Sequence, residues 1–244
     1  MEALKSRLRQ LKLAVIVKTV ESRNRYALEK KASYIDFLEL LIEDEYVNRQ
    51  ANSFNKRLNR SKLNTQKDID SFDFNYQPEL DKTQLLDIAA CRFITQNRNL
   101  VFMGKPGVGK THLANAIGLE AIKKGYKVLF LHVNELIEKI NRAKADGSRH
   151  QIMNELIHTD LVILDELGFK KIPSESIDDL FEVIRKRYEN GSIIITTNRN
   201  FEEWGNIFGD YTMASAIVDR VVHHATIIKI IGESYRVKNF NVNG

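Results

Sequence analysis

The stretch that most constrains this chain is Gly104-Lys105-Pro106-Gly107-Val108-Gly109-Lys110-Thr111, which fits the spacing G-x-x-x-x-G-K-[ST] of a phosphate-binding loop. Its flanks suit that role. Leu100 to Met103 reads as a short buried strand. Residues 111–124 read as a helix with Leu113, Ala116, Ile117, Leu119 and Ala121 on its apolar side. Gly107 and Gly109 let the backbone turn its N–H groups around a pyrophosphate, and the helix N-terminus adds partial positive charge. In such a loop Lys110 reaches the terminal phosphates and Thr111 offers a hydroxyl to Mg²⁺. Gly104, Pro106, Gly107, Val108, Gly109, Lys110, Thr111 and His112 are the expected nucleotide-binding residues.

Beyond this loop and its helix, the chain alternates between strands and helices. Val128 to Val133 reads as a strand, and Asn134 caps a helix from Glu135. Leu161 to Leu164 is a continuous apolar run, as a strand buried on both faces requires. Ser174 caps a helix ended by Asn190-Gly191, Ser192 to Thr197 is another strand, and Ile227 to Ile231 is a last one. This order predicts an α/β fold with a mostly parallel sheet flanked by helices.

The apolar strand ends in Asp165-Glu166, at the carboxyl end where open α/β sheets bind ligands. Beside a phosphate loop, Asp165 is expected to hold Mg²⁺ with Thr111, and Glu166 to polarise the water that attacks the γ-phosphate. The next strand ends in Asn198, whose amide suits holding that water; Thr197 is its rival. Arg220 reads either as an arginine finger or as a structural partner of Asp219 or another acid. His223-His224 has no companions at metal-ligand spacing and reads as packing or polar contact. Cys91 is the single cysteine. It reads as an inert core residue of a protein in a reducing cytoplasm.

Residues 1–63 lack proline and glycine and read as a small all-helical domain. Residues 64–81 read as a linker carrying the aromatic strip Phe72, Phe74 and Tyr76, which either packs the linker down or lines an adenine pocket, and residues 82–244 as the nucleotide-binding domain. Leu4, Leu8 and Leu11 give a first amphipathic stretch. Ser33 and Asp36 form a capping-box pattern that opens a helix with Ile35, Leu38, Leu41 and Ile42 inward. Val47, Ala51, Phe54 and Leu58 then mark one helix face, with Arg49, Lys56 and Arg60 opposite and Arg57 at the edge. The net charge of +5 resides in residues 1–70, which hold 15 Lys/Arg against 10 Asp/Glu. A basic unit beside a neutral domain points to a polyanion, nucleic acid first. No segment has the length or composition of a signal peptide or membrane span.

Together these residues resemble the AAA+ ATPases, and within them the IstB/DnaC group. The resemblance rests on Gly104 to Ala114, Asp165-Glu166-Leu167-Gly168, Thr196-Thr197-Asn198 with Glu203-Trp204, and Asp219-Arg220 with His223-His224 leading to Gly232-Glu233-Ser234-Tyr235-Arg236. The last motifs are more similar to IstB transposition helpers than to DnaC helicase loaders. The resemblance implies an AAA+ core without a C-terminal lid domain and Mg²⁺-dependent ATP hydrolysis. It also implies self-association on double-stranded DNA and recruitment of a partner transposase. It further implies that Arg220 reaches the ATP of a neighbouring subunit, that Lys139 and Arg142 contact DNA, and that Arg236 is a candidate second sensor. A replicative helicase loader, a small-molecule kinase and a non-catalytic DNA scaffold remain as alternatives.

Overall fold

The computed structural model describes residues 1–237. Residues 238–244, the end of the expected 82–244 domain, lie outside the described residues. The chain forms two compact units, Met1–Lys56 and Arg57–Gly244.

The first unit is helical: α1 (Glu2–Gln10), α2 (Ala14–Lys30) and the start of α3 (Tyr34–Ser61). Its core is small, with Ile16, Val20 and Leu41 buried and Leu8, Leu13 and Phe37 packed against them. Glu45 is buried beside this core. Its carboxylate accepts from the N–H groups of Val15 (2.9 Å) and Ile16 (3.4 Å), satisfying donors at the start of α2. The capping box forms: Asp36 accepts from Ser33 N–H at 2.9 Å, and Ser33 Oγ accepts from Asp36 N–H at 3.1 Å. The inward set differs from expectation. Leu41 is buried, but Ile35, Leu38 and Ile42 are 65%, 50% and 54% exposed. The helical period groups residues on one face without saying which face a small core can cover.

In the second unit, α4 (Lys82–Ala89) and α5 (Arg92–Thr95) lead into β1 (Asn99–Gly104) and α6 (Lys110–Lys123). Then come β2 (Val128–His132), α7 (Val133–Asp146), α8 (Arg149–His158), β3 (Leu161–Leu167) and α9 (Ser174–Arg187). Among the described residues β4 (Ser192–Thr197), α10 (Trp204–Phe208), α11 (Tyr211–Val222) and β5 (Ala225–Ile230) follow. The five strands lie in the order β2-β3-β4-β1-β5, and every pairing is parallel. One face of the sheet, including Val162, Leu164, Ile193 and Ile195, joins α7, α8, α9 and α11 in a single core. On the other face Ile163 reaches Gly118 of α6. Helix α7 begins at Val133, with His132 in the N-cap position and no side-chain capping bond, rather than at Glu135 after an Asn134 cap. Helix α8 has no counterpart among the elements expected from the sequence.

Arg187 ends α9 fully buried, and its guanidinium donates to five backbone carbonyls. These are Leu156 (2.5 Å), Ile157 (3.3 Å), Thr159 (2.7 Å), Asp160 (3.1 Å) and Ser192 (2.7 Å). It ties the end of α8 to the starts of β3 and β4. Burial pulls its pKa down to about 10, so it stays charged at neutral pH. Cys91 is buried, and burial pushes its thiol up to about 11, as an inert core cysteine requires.

Candidate nucleotide-binding site

The strand order puts the carboxyl ends of β3, β4 and β1 side by side, so Asp165, Thr197 and Gly104 converge at one edge of the sheet. Gly107 and Gly109 have φ of +83° and +101°, in the left-handed region that a side chain disfavours. Gly109 caps α6, so the loop delivers its N–H groups to a helix N-terminus. Lys110 Nζ donates to the carbonyls of Gly104 (2.8 Å) and Lys105 (2.7 Å). Burial lowers the Lys110 pKa, opposed by the charge of Asp165 and reinforced by Arg236.

Thr111 Oγ1 donates to Asp165 Oδ1 at 2.9 Å and lies 3.2 Å from Oδ2. Asp165 is fully buried, whereas Glu166 is exposed. The two acids occupy a β-bulge. Leu164 pairs with Ile195 and Leu167 with Thr197, so β3 carries one residue more than β4 over that interval. Glu166 takes a φ of +62° there, which turns its side chain out of the strand. His132, at the end of β2, places Nδ1 3.1 Å from Asp165 Oδ2 and 3.7 Å from Glu166 Oε2. This histidine is not among the residues expected from the sequence. Its signal was its place at the carboxyl end of a strand.

A cavity of ≈ 400 Å³ opens over the loop, within the range of small-molecule sites. Pro106, Gly107, Val108, Gly109, Lys110, Thr111, His112, Glu166 and Asn198 line it; so do Phe72, Tyr76, Tyr235 and Arg236. The segment expected to be a linker is therefore a wall of the site. Asn115, buried on α6, holds it down: its amide accepts from Asn64 N–H (2.9 Å) and donates to the carbonyls of Asn64 (2.8 Å) and Lys67 (2.9 Å). His112 Nε2 adds a 2.7 Å contact to the Asp68 carbonyl. From the other side, Tyr235 N–H donates to Gly107 O at 3.0 Å and Tyr76 Oη donates to Ser234 O at 3.1 Å. Thr197 and Asn198, the two rivals, both line the cavity, and Thr197 Oγ1 accepts from Arg199 N–H at 3.1 Å in a local turn.

Other candidate residues lie elsewhere. Arg220 is absent from the cavity lining; its guanidinium lies 5.1 Å from the Phe181 ring centroid and donates to Ala216 O at 2.8 Å. Arg49 pairs with Glu45 at 2.9 Å and donates to Lys12 O at 2.8 Å. Lys56 and Arg60 are exposed, and Arg57 is half-buried with a 3.4 Å contact to Ile122 O. Lys139 pairs with Glu155 at 2.8 Å and Arg142 with Glu138 at 3.1 Å. His223 Nδ1 meets Tyr188 Oη at 2.7 Å, a polar contact as expected.

Residues 6–242 match the family described as IstB-like ATP binding protein. The chain belongs to that family. It is 39% identical over 229 residues to the ATP-binding protein of insertion sequence IS5376 from Geobacillus stearothermophilus, covering 94% of this chain and 91% of the relative. It is 36% identical over 238 residues to the IS21 counterpart from Pseudomonas aeruginosa, covering 98% and 90%. Among solved structures it is similar in fold to the DnaC helicase loader, with a TM-score of 0.51 at 22% identity over 61% of this chain and 87% of that one. It is also similar in fold to replication initiator DnaA bound to AMPPCP and single-stranded DNA, with a TM-score of 0.59 at 21% identity over 74% and 57%. The IstB-like chain thus carries a P-loop α/β fold similar to that of these loaders and initiators, preceded in sequence by a helical region. Among the described residues, no helix is long and apolar enough to cross a membrane.

Proposed function

We propose that this IstB-like chain hydrolyses ATP with Mg²⁺ and uses the nucleotide state to control its assembly on double-stranded DNA, where it recruits a partner transposase. The observation that carries the hydrolytic part is the 2.9 Å contact between Thr111 and Asp165, with Glu166 turned out beside it into the same cavity. A hydroxyl and a carboxylate are hard oxygen donors, the set Mg²⁺ takes together with phosphate and water. Thr111 and Asp165 would hold the ion, which neutralises charge on the terminal phosphates. Lys110 leaves its two carbonyls to meet the phosphates. Glu166 accepts a proton from the attacking water, and Asn198 orients that water.

The DNA and transposase parts rest on the insertion-sequence relatives and on the basic residues of α3. A helicase loader would share the chemistry, but the relatives at 36% to 39% identity are insertion-sequence proteins. Phosphate release and nucleotide binding test the core of the proposal. Lys110→Ala loses ATP binding, whereas Glu166→Gln binds ATP and does not turn it over. Normal hydrolysis by the Glu166→Gln protein removes Glu166 from the role of base.

A further inference from the structure

We infer that Thr196 is a positioning residue whose hydroxyl locks Asp165 and Glu166 into their working geometry. Thr196 is fully buried in β4, opposite the bulge of β3. Its Oγ1 donates to Asp165 Oδ1 at 2.5 Å and accepts from the backbone N–H of Glu166 at 2.9 Å. One hydroxyl thus uses its single proton on the carboxylate expected to hold the metal, and a lone pair on the peptide that carries the expected base.

Each contact has a consequence. The donated bond, with that of Thr111, holds Oδ1 of Asp165, while His132 faces Oδ2 at 3.1 Å. The accepted bond pins the peptide entering Glu166 at a φ of +62°, a backbone conformation a residue with a side chain rarely adopts. A strained backbone persists only where its surroundings hold it. Without the hydroxyl, the Glu166 N–H loses its partner inside the sheet, the bulge relaxes, and the carboxylate moves away from the cavity. Valine cannot substitute, although it has the same shape, because both bonds need the oxygen.

The inference rests on Glu166 acting as the base, so Glu166→Gln is measured alongside. Thr196→Val is expected to stay folded, melting a few degrees lower because a buried N–H loses its partner, and to bind ATP in EDTA as the parent does. Its kcat falls by roughly 10- to 100-fold and its half-saturating Mg²⁺ concentration rises, the range typical of groups that orient metal ligands. Thr196→Ser keeps the hydroxyl and restores both. Parent-like kcat and Mg²⁺ dependence in Thr196→Val overturn the inference. So does a folded Thr196→Ser protein as impaired as Thr196→Val, which would assign Thr196 to packing; if the valine variant does not fold, Thr196→Ser is compared with the parent, and a folded serine variant with kcat and Mg²⁺ half-saturation displaced from the parent's overturns the inference. Should Glu166→Gln hydrolyse normally, the base assignment fails by itself, and the Mg²⁺ half-saturation decides Thr196 through Asp165.

Discussion

The ring of Phe72 occupies the space a side chain on Gly109 would need: its Cε2 lies 2.6 Å from the position of an ideal Cβ there. Gly109 is therefore glycine for two reasons, its φ of +101° and this close approach. The same ring meets Phe74 edge-on at 4.9 Å and His112 at 5.3 Å. The segment before the core is thus built into the phosphate loop.

Phe72→Ala should weaken ATP binding without unfolding the unit. An aromatic contact of this kind contributes about 1–2 kcal/mol including its burial, which corresponds to roughly 5- to 30-fold in Kd. Titration with a fluorescent ATP analogue measures it. An unchanged Kd would mean that the ring only packs the segment down.

The phosphate loop, the acid pair and the alternation of strands were legible because each is a local pattern tied to a local geometry. Asp165 and Glu166 had to follow an apolar run, and they do. The wall formed by Phe72 and Tyr76 was legible only as one of two alternatives, because its anchor is Asn115, a polar residue within an otherwise apolar helix face, bonded to a segment some fifty positions away in sequence. Helix α8 carries a weak pattern, because Ile152, Met153 and Leu156 are few and sit among polar residues. Thr196 looked like one more strand residue. Its hydroxyl acquires meaning only once the bulge of β3 lies across from it.

Arg187 makes a stability prediction. Arg187→Met should destabilise the second unit by about 3–5 kcal/mol, since buried carbonyls lose their donors with no water to replace them. Arg187→Lys should recover only part, because an ammonium has three donors and no planar fork. Urea denaturation followed by the fluorescence of buried Trp204 checks this. A loss below about 1 kcal/mol would place the guanidinium among ordinary exposed pairs.

DNA binding should be salt-dependent through exposed Lys56 and Arg60. Each phosphate contact contributes roughly 0.9 to the log–log salt slope, so Lys56→Gln with Arg60→Gln should flatten it by about 1.8 per bound subunit. Arg49 is a poorer choice for that test: its pairing with Glu45, which caps α2, mixes binding with stability. A slope unchanged in the double variant would make these residues a solvated face.

The last prediction concerns Arg220. Its side chain lies over Phe181 and is absent from the cavity of its own chain, a placement that favours a role at the γ-phosphate of a neighbouring subunit. Activity should then rise more than linearly with protein concentration, and DNA should raise it further by gathering subunits. Arg220→Ala should bind ATP and hydrolyse it on the order of 10³-fold more slowly, as a lost finger does. Mixing separates the possibilities. Arg220→Ala supplies an intact phosphate loop and Lys110→Ala supplies an intact arginine, so the two inactive proteins together should regain part of the activity. If the mixture stays inactive while both variants still assemble on DNA, Arg220 serves its own chain and the finger assignment fails.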